Sequence, residues 1–396
     1  MNISFRYIVI IAVLLQDRIS SLRADDMSLA ATNQKEDCMD EPKTTTTSIE
    51  TTIPATSTTT IETTSSIVTD TWKLLVIGGF LGSLPYIDDV EKVDPNKKSS
   101  KCEKPMPYPT VNDGPTVQAF PDHSVLSCGG FTGQQNGSLK SCYEYDPIHL
   151  NWSYMTDMIH ERSDTSSVLL NDNEMWVVGG YGNPPPRKTT EIYDRKTKMF
   201  RKGPDVPVGM YSHCMAKLNA THVFIGGVES TNQSYNYDIS FLVEIAKEPF
   251  VFQILPKMDK SRKGAGCGVI RSDPKNGNIH QRYNTSSSKE LIIVAGGLDF
   301  DQGLPPHGRR DSEIFNIEEN RWSTGPTIPR GFYLGGSVSL DDGSVVLVSG
   351  YDESGHQQSD VIKLNPSVME FETMAGELET ARSSFGIAVL LDNEDC

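Results

Sequence analysis

Arginine, tyrosine and histidine are the side chains here best suited to recognise a ligand, and their spacing decides which chemistry is open. The eight histidines (His123, His149, His160, His213, His222, His280, His307 and His356) are scattered, without the short spacings of a metal-ligand set. Seven cysteines include no Cys-x-x-Cys, so a zinc site is not expected. No metal, cofactor or catalytic group is called for. Arginines and tyrosines, by contrast, gather at related places: Arg162, Arg262, Arg330 with Tyr333 in PRGFY (329–333), and Arg382 in TARSS (380–384). These residue types dominate binding hot spots, since each joins a large contact area to hydrogen-bond donors.

The elements that carry them are set by a repeat. An apolar run ending in paired glycines occurs as LLVIGGF (74–80), VLSCGGF (125–131), WVVGGY (176–181), VFIGGV (223–228) and IIVAGGL (292–298). A sixth copy, VVLVSGY (345–351), carries Ser349 for the first glycine. A second spacing keeps phase with the first: Tyr145 and Trp152, Tyr193 and Phe200, Phe315 and Trp322, and Leu364 and Phe371 stand seven apart. Each unit parses into four short strands separated by turn residues, such as Asn171-Asp172-Asn173 and Gly182-Asn183-Pro184. The second strand is apolar on both faces, as a strand buried between neighbouring sheets must be. Glycine pairs at its end mark a close approach, read here as the next blade's aromatic nearing the backbone. No helix follows any of them, so they lack the amino terminus that would hold a phosphate.

These marks, G-G-[FY] after an apolar strand, E-x-Y-D, and an aromatic seven residues on, resemble the kelch-repeat family over residues 72–396. The resemblance implies an all-β, six-bladed β-propeller, one four-stranded blade per repeat. The first copy lacks a first strand, and residues 385–391 look like a first strand with no second. They should pair beside residues 74–77, closing the ring within blade one and leaving no open edge. Departures are an insertion at 272–289 in blade five, Ile245 and Phe252 for the aromatics of blade four, and no clear aromatics in blade one.

Residues 1–24 read as a secretory signal: Arg6, then the apolar run YIVIIAVLL (7–15), then small residues. Residues 25–71 include a run dominated by threonine and serine, expected to form a disordered, mucin-like stalk. Sequons at Asn136, Asn151, Asn219, Asn232 and Asn284 fall in expected loops or at strand starts, so a secreted, extracellular glycoprotein is expected. Disulfides are the default in such a compartment. Cys128 and Cys142 lie on the neighbouring second and third strands of blade two and are the expected pair, and Cys214 and Cys267 hold matching positions on the innermost strands of adjacent blades, where a bond depends on reach. Cys396 has Cys102 or Cys38 as partner, and the odd count leaves one thiol free or intermolecular, so a monomer or a disulfide-linked oligomer follows. A net charge of −16 disfavours nucleic acid and anionic membranes. No insertion into a membrane is expected, because nine apolar residues fall short of the roughly 20 needed to span one.

Strand order puts the second-to-third-strand loops and the blade-to-blade connections on one face, where blades five, six and one lack sequons. That arc holds Phe300, His307, Arg309, Arg310, Arg330, Tyr333, Tyr351, His356 and Arg382. Kelch propellers that capture acidic peptides use connection arginines. By resemblance Arg330, Arg382, Arg162 and, less clearly, Arg262 match that position. The competing expectation is that these arginines pair with loop carboxylates and set blade spacing. Kelch-type copper oxidases need a histidine cluster that is missing from the spacing. Ser339, Asp341 and Gly343 begin a sialidase box, but Val346 replaces its tryptophan. The expected function is a protein- or glycan-binding module. The alternatives are a sugar mutarotase of the sialic-acid epimerase kind and a structural matrix component. Ubiquitin-ligase recruitment is not expected, since a signal and stalk stand where intracellular relatives carry their partner domain.

Overall fold

The computed structural model describes residues 72–82, 84–98, 104–133, 137–182, 187–228, 237–271, 290–299 and 307–391. The expected signal and stalk, the sequons at Asn136, Asn232 and Asn284, and Phe300, Cys38, Cys102 and Cys396 lie outside them. Every regular element among the described residues is a strand. β1 (Trp72–Leu81) and β2 (Leu84–Val93) begin blade one. Blade two is β3 (Thr116–Ala119), β4 (Val125–Cys128), β5 (Ser141–Asp146) and β6 (Asn151–Asp157). Blade three is β7 (Ser166–Asn171), β8 (Glu174–Val178), β9 (Thr190–Asp194) and β10 (Met199–Lys202). Blade four is β11 (Cys214–Lys217), β12 (His222–Val228), β13 (Ile239–Glu244) and β14 (Val251–Ile254). Blade five has β15 (Gly266–Arg271) and β16 (Glu290–Ala295), a small pair β17 (Leu298–Asp299) and β18 (His307–Gly308), then β19 (Ser312–Asn316) and β20 (Arg321–Thr324). Blade six is β21 (Gly336–Ser339), β22 (Val345–Val348), β23 (Asp360–Asn365) and β24 (Glu370–Glu377), and β25 (Gly386–Leu391) returns to blade one.

The ring closes as expected. β25 pairs antiparallel with β1 from Trp72↔Leu391 to Ile77↔Gly386. The innermost strands β25, β3, β7, β11, β15 and β21 then contact one another in a complete circle. Their free edges are capped by the neighbouring blade: backbone N–H groups of Cys267 and Val269 donate to the hydroxyls of Ser337 and Ser339 at 3.2 and 3.0 Å. Aromatic pairs seven apart face each other across the outer strands, Tyr145↔Trp152, Tyr193↔Phe200 and Phe315↔Trp322, each with ring centroids 5.1 Å apart. Both disulfides form: Cys128 and Cys142 lie directly opposite on β4 and β5, and Cys214–Cys267 joins blade four to blade five.

Three expectations need correction. Blade one has three strands among the described residues, because Pro105, Pro107 and Pro109 cannot donate to a ladder. Tyr108 from that segment instead packs into the blade one–two core against Trp152, 4.9 Å away. In blade four, Val243 opposes Phe252, and Ile245 belongs to the turn. That blade's glycine pair also slips by one residue, since Cys214↔Gly226 is in register with Thr116↔Cys128 and Gly336↔Val348 elsewhere.

The glycine pairs receive a carbonyl, not the expected aromatic. A Cβ on Gly78 would meet the Asn112 carbonyl oxygen at 2.4 Å, and one on Gly179 would meet that of Met210 at the same distance. The next residue, Gly79 or Gly180, donates its N–H to that same carbonyl. Each connection is thereby sewn to the blade it leaves. Ser349 is tolerated because its hydroxyl donates to the Arg382 carbonyl at 2.7 Å.

A closed crown of hydrogen bonds lies at the centre of this face. Gly114 donates its N–H to the Ser384 carbonyl, Asp164 to Gly114, Ser212 to Asp164, Gly264 to Ser212, Leu334 to Gly264 and Ser384 to Leu334, at 2.5 to 3.0 Å. All six residues are left-handed, with φ between 50° and 65°. For the four that are not glycine this conformation costs roughly 1–2 kcal/mol each. Each such residue donates one inter-blade hydrogen bond, worth about 1 kcal/mol net. Gly264 has no room for more: a Cβ there would lie 2.8 Å from Leu334 Cδ2 at a φ of 63°. Gly264→Val should therefore cost about 2 kcal/mol, read as a lower urea midpoint, because it adds strain to a clash. An unchanged midpoint would show that the crown does not bear on stability.

Candidate functional site

The connections that bear the predicted arginines run between the crown and the glycine pairs. Crown residues Gly114, Asp164, Ser212, Gly264, Leu334 and Ser384 set their register. Two positions before each stand Asn112, Arg162, Met210, Arg262, Phe332 and Arg382. Arg262 thus matches Arg162 and Arg382 fully. Arg330 does not; it sits two residues earlier, and Phe332 takes the shared position.

Arg162, Arg262 and Arg382 are completely buried. The Nε of Arg162 donates to Glu191 Oε1 at 3.0 Å, and its terminal nitrogens reach Glu191 and the Gly179 and Thr189 carbonyls. Arg262 repeats this with Glu313, Gly296 and Asp311. Arg382 does so with Glu91, Gly78 and Asp89. The carboxylates are satisfied from the other side as well: Glu191 accepts from the backbone N–H groups of Ile159 and His160, and Glu313 from Asp259 and Lys260. Each arginine carbonyl meets the preceding blade while its guanidinium grips the third strand of the following one. Desolvation is felt on both sides, since burial lowers the Arg162 pKa despite Glu191 and raises that of Glu91 despite Arg382. The expectation that Arg162 and Arg382 bind a ligand fails on this geometry: every donor direction is already taken inside the protein.

The clamp occupies blades one, three and five. In blade two Asn112 Nδ2 donates to the equivalent Gly129 carbonyl at 2.9 Å. Arg330 serves blade six from its shifted place, donating to the Ser349 carbonyl and to Asp360. Blade four has Met210 and Phe241 in the paired positions, within one apolar cluster. It shows no such polar clamp among the described residues, and it is the blade tied covalently to its neighbour. Glu91, Glu191 and Glu313 were missed by sequence reasoning. Their signal was present, since the first position of E-x-Y-D holds glutamate only where the preceding connection holds arginine.

The arc of blades five and six brings most other candidates together. Tyr333 and Tyr351 stack at 5.0 Å and 20°, buried with Leu298. Burial, then Tyr351, raises the Tyr333 pKa. Arg309 is held by Asp299 and Asp311, and His307 lies half-buried in register with Asp299. Burial acts to raise Asp311, but Arg309 and Arg262 prevail and lower its pKa. Outward access is left to Arg310, 50% exposed with Glu353 4.0 Å away, and His356, 64% exposed. Of the sequons on the opposite face, Asn151 opens β6 and is half-buried, and Asn219 is exposed in the bend before β12. Among the described residues no group of three or more acidic, cysteine or histidine side chains could hold a metal.

His213 follows crown residue Ser212 and is fully enclosed, with neither ring nitrogen hydrogen-bonded. Burial alone lowers its pKa from 6.5 to about 3.

No family model matches the chain. Similar stretches occur in Kelch-like protein 25 of Xenopus tropicalis, 26% identical over 148 residues, covering 37% of this chain and 24% of that protein. An F-box/kelch-repeat protein of Arabidopsis thaliana is 27% identical over 145 residues, 31% of this chain and 30% of that one. Kelch-like protein 36 of Mus musculus is 20% identical over 208 residues, 52% of this chain and 30% of that one. The chain spans less than a third of the length of these relatives. Among solved structures, that of YjhT superposes with a TM-score of 0.59 at 15% identity, over 76% of this chain and 96% of that one.

Two outcomes follow. Arg262→Leu strands Glu313 and should cost roughly 3–5 kcal/mol, whereas Arg262→Leu with Glu313→Leu should recover most of it. Equal losses in urea titrations would refute the clamp. Between pH 6.5 and about 3 the unfolded His213 binds a proton that the folded one refuses, so stability falls as pH falls. The slope is about 1.4 kcal/mol per pH unit, and His213→Phe should flatten it between pH 7 and 5.

Proposed function

The chain is a six-bladed kelch-repeat β-propeller, a fold that suggests a protein-binding module, and we propose that it works as a secreted, glycosylated module binding an extracellular protein. Binding takes place on the face that carries the connections and the crown, centred on blades five and six. One observation carries this reading. The scaffold consumes Arg162, Arg262, Arg309, Arg330 and Arg382, yet leaves Arg310, Glu353 and His356 outward on one arc. Arg310 keeps one internal bond, to the Ile328 carbonyl, and Glu353 accepts from the Gly331 N–H, yet both remain exposed enough to make rim contacts, where charge governs encounter rate and partner choice. The expected ligand residues Arg162, Arg330 and Arg382 take no part in this reading.

Secretion is supported by the apolar run at 7–15 and by two disulfides, which persist in oxidising compartments. Glycosylation is supported by the exposed Asn219 and by Asn151. Both lie opposite the crown, so sugars there would leave the connection face open.

The test is affinity capture from the native extracellular fluid with the full chain and with an Arg310→Ala, His356→Ala variant. The variant gives up one side-chain bond, from Arg310 to the Ile328 carbonyl at 3.3 Å, so it should stay within about 1 kcal/mol of wild type in urea. A protein retained by wild type and depleted about tenfold by the variant is the expected result. Equal retention would move binding off this arc, and no retained protein would overturn the reading.

A further inference from the structure

β14 is the last strand of blade four, and its outer edge pairs with no other strand among the described residues. A hydrogen bond from the Leu255 N–H to the Ser240 carbonyl, at 3.0 Å, fixes which of its backbone groups point inward. Inward and outward residues alternate along an antiparallel ladder. Val251 and Gln253 therefore face β13 with Leu255, and the N–H and carbonyl groups of Phe252 and Ile254 face out. A bare edge invites pairing, and folded proteins commonly blunt it with charge. Each of the other outermost strands carries at least one: Asp88 in β2, Asp157 in β6, Arg201 in β10, Arg321 in β20 and Glu370 in β24. β14 reads VFQI, with no charge, and leaves Val251 53% and Ile254 62% exposed. Pro249 and Pro256 flank it.

We propose that β14 is a dimerisation edge, pairing antiparallel with β14 of a second copy of this chain. The outward groups set the register. With a two-fold axis between the two copies of Gln253, Phe252 of each copy stands opposite Ile254 of the other, and each such pair exchanges both of its N–H···O bonds. A slip of one residue would set outward groups against inward ones, so it makes no ladder. The same register lays the exposed Ile254 against Phe252 of the second copy, an aromatic with a β-branched side chain. The edge suits its own copy because the same patch serves both sides. The flanking prolines hold an added strand to about the length of β14, since Pro256 has no N–H to offer. Charge allows the approach: in residues 244–260, Lys247, Lys257 and Lys260 balance Glu244, Glu248 and Asp259, whereas the whole chain carries −16. Two acidic bodies can thus meet here without the repulsion that acts elsewhere between them. Blade strands run from one face of the ring to the other, so antiparallel pairing turns the two connection faces in opposite directions. Both stay open, and the dimer presents two binding faces where the single chain presents one.

The test is sedimentation velocity on the full chain, with free thiols alkylated and disulfide-linked species removed, from about 1 to about 300 µM. A four-residue edge is a small interface, so wild type should pass from monomer to dimer at roughly 10–100 µM. Ile254→Lys should raise the dissociation constant about tenfold or more, because a lysine on the edge opposes pairing. Ile254→Pro removes an N–H that faces away from β13, so it should keep the wild-type urea midpoint and remain monomeric. Ile148→Lys, at an 84% exposed position of blade two, should dimerise like wild type. The proposal is overturned if wild type is monomeric throughout, if either Ile254 variant dimerises like wild type, or if Ile148→Lys abolishes the dimer as well. Should Ile254→Pro fail to fold, Ile254→Lys decides the matter by itself.

Discussion

Six backbone hydrogen bonds that bite one another in a circle are the constraint on which this structure turns. A ring of blades is stable only if each meets its neighbours at one fixed angle, and the crown requires six donors to find six acceptors with none left over. Left-handed backbone at every member aims N–H and carbonyl around the circle. A β or right-handed conformation would send them along the chain. Asp164, Ser212, Leu334 and Ser384 adopt the left-handed conformation and each closes one bond of the circle. The glycine pairs belong to the same constraint, since the carbonyl two residues before the crown must dock where a Cβ would stand.

Around the crown, buried arginine–glutamate pairs join each odd-numbered blade to the one before it. A buried ion pair is a poor source of stability compared with apolar packing. What it supplies here is direction, because a guanidinium with fixed carbonyl and carboxylate partners tolerates little rotation between blades. Apolar side chains do the comparable work in blade four, with less angular preference. The same blade carries the slipped glycine register and the Cys214–Cys267 tie. Where polar geometry is weakest, covalent geometry takes its place.

This allocation of charge shapes the outer surface. An arginine that sets blade spacing cannot also receive a ligand, and most connection arginines do the former. On the arc of blades five and six this leaves Arg310 and His356 outward. Arg310 stands at the rim, where solvent screening weakens its charge and makes it a contributor to encounter.

The sequence by itself determined the all-strand class, the number of blades, the pairing of aromatics seven apart and the closure of the ring by residues 385–391, and it put Cys128 and Cys142 on neighbouring strands. Each is written in residue types at a fixed period, and period two along a strand with glycine at its end is enough to read them. That Cys214 reaches Cys267 across two blades was decided by the tertiary structure. Tertiary structure alone decided which arginines are scaffold and which are surface. Arg162 and Glu191 are 29 residues apart, and whether a guanidinium meets that carboxylate or water depends on how two blades pack. It also decided that Arg330 is offset from Arg382, that Val243 and not Ile245 faces Phe252, and that Ser212 and Leu334 lie in the crown. No residue type announces a left-handed leucine. That conformation is imposed by neighbours on either side of the ring, and it exists only once all six blades are in place.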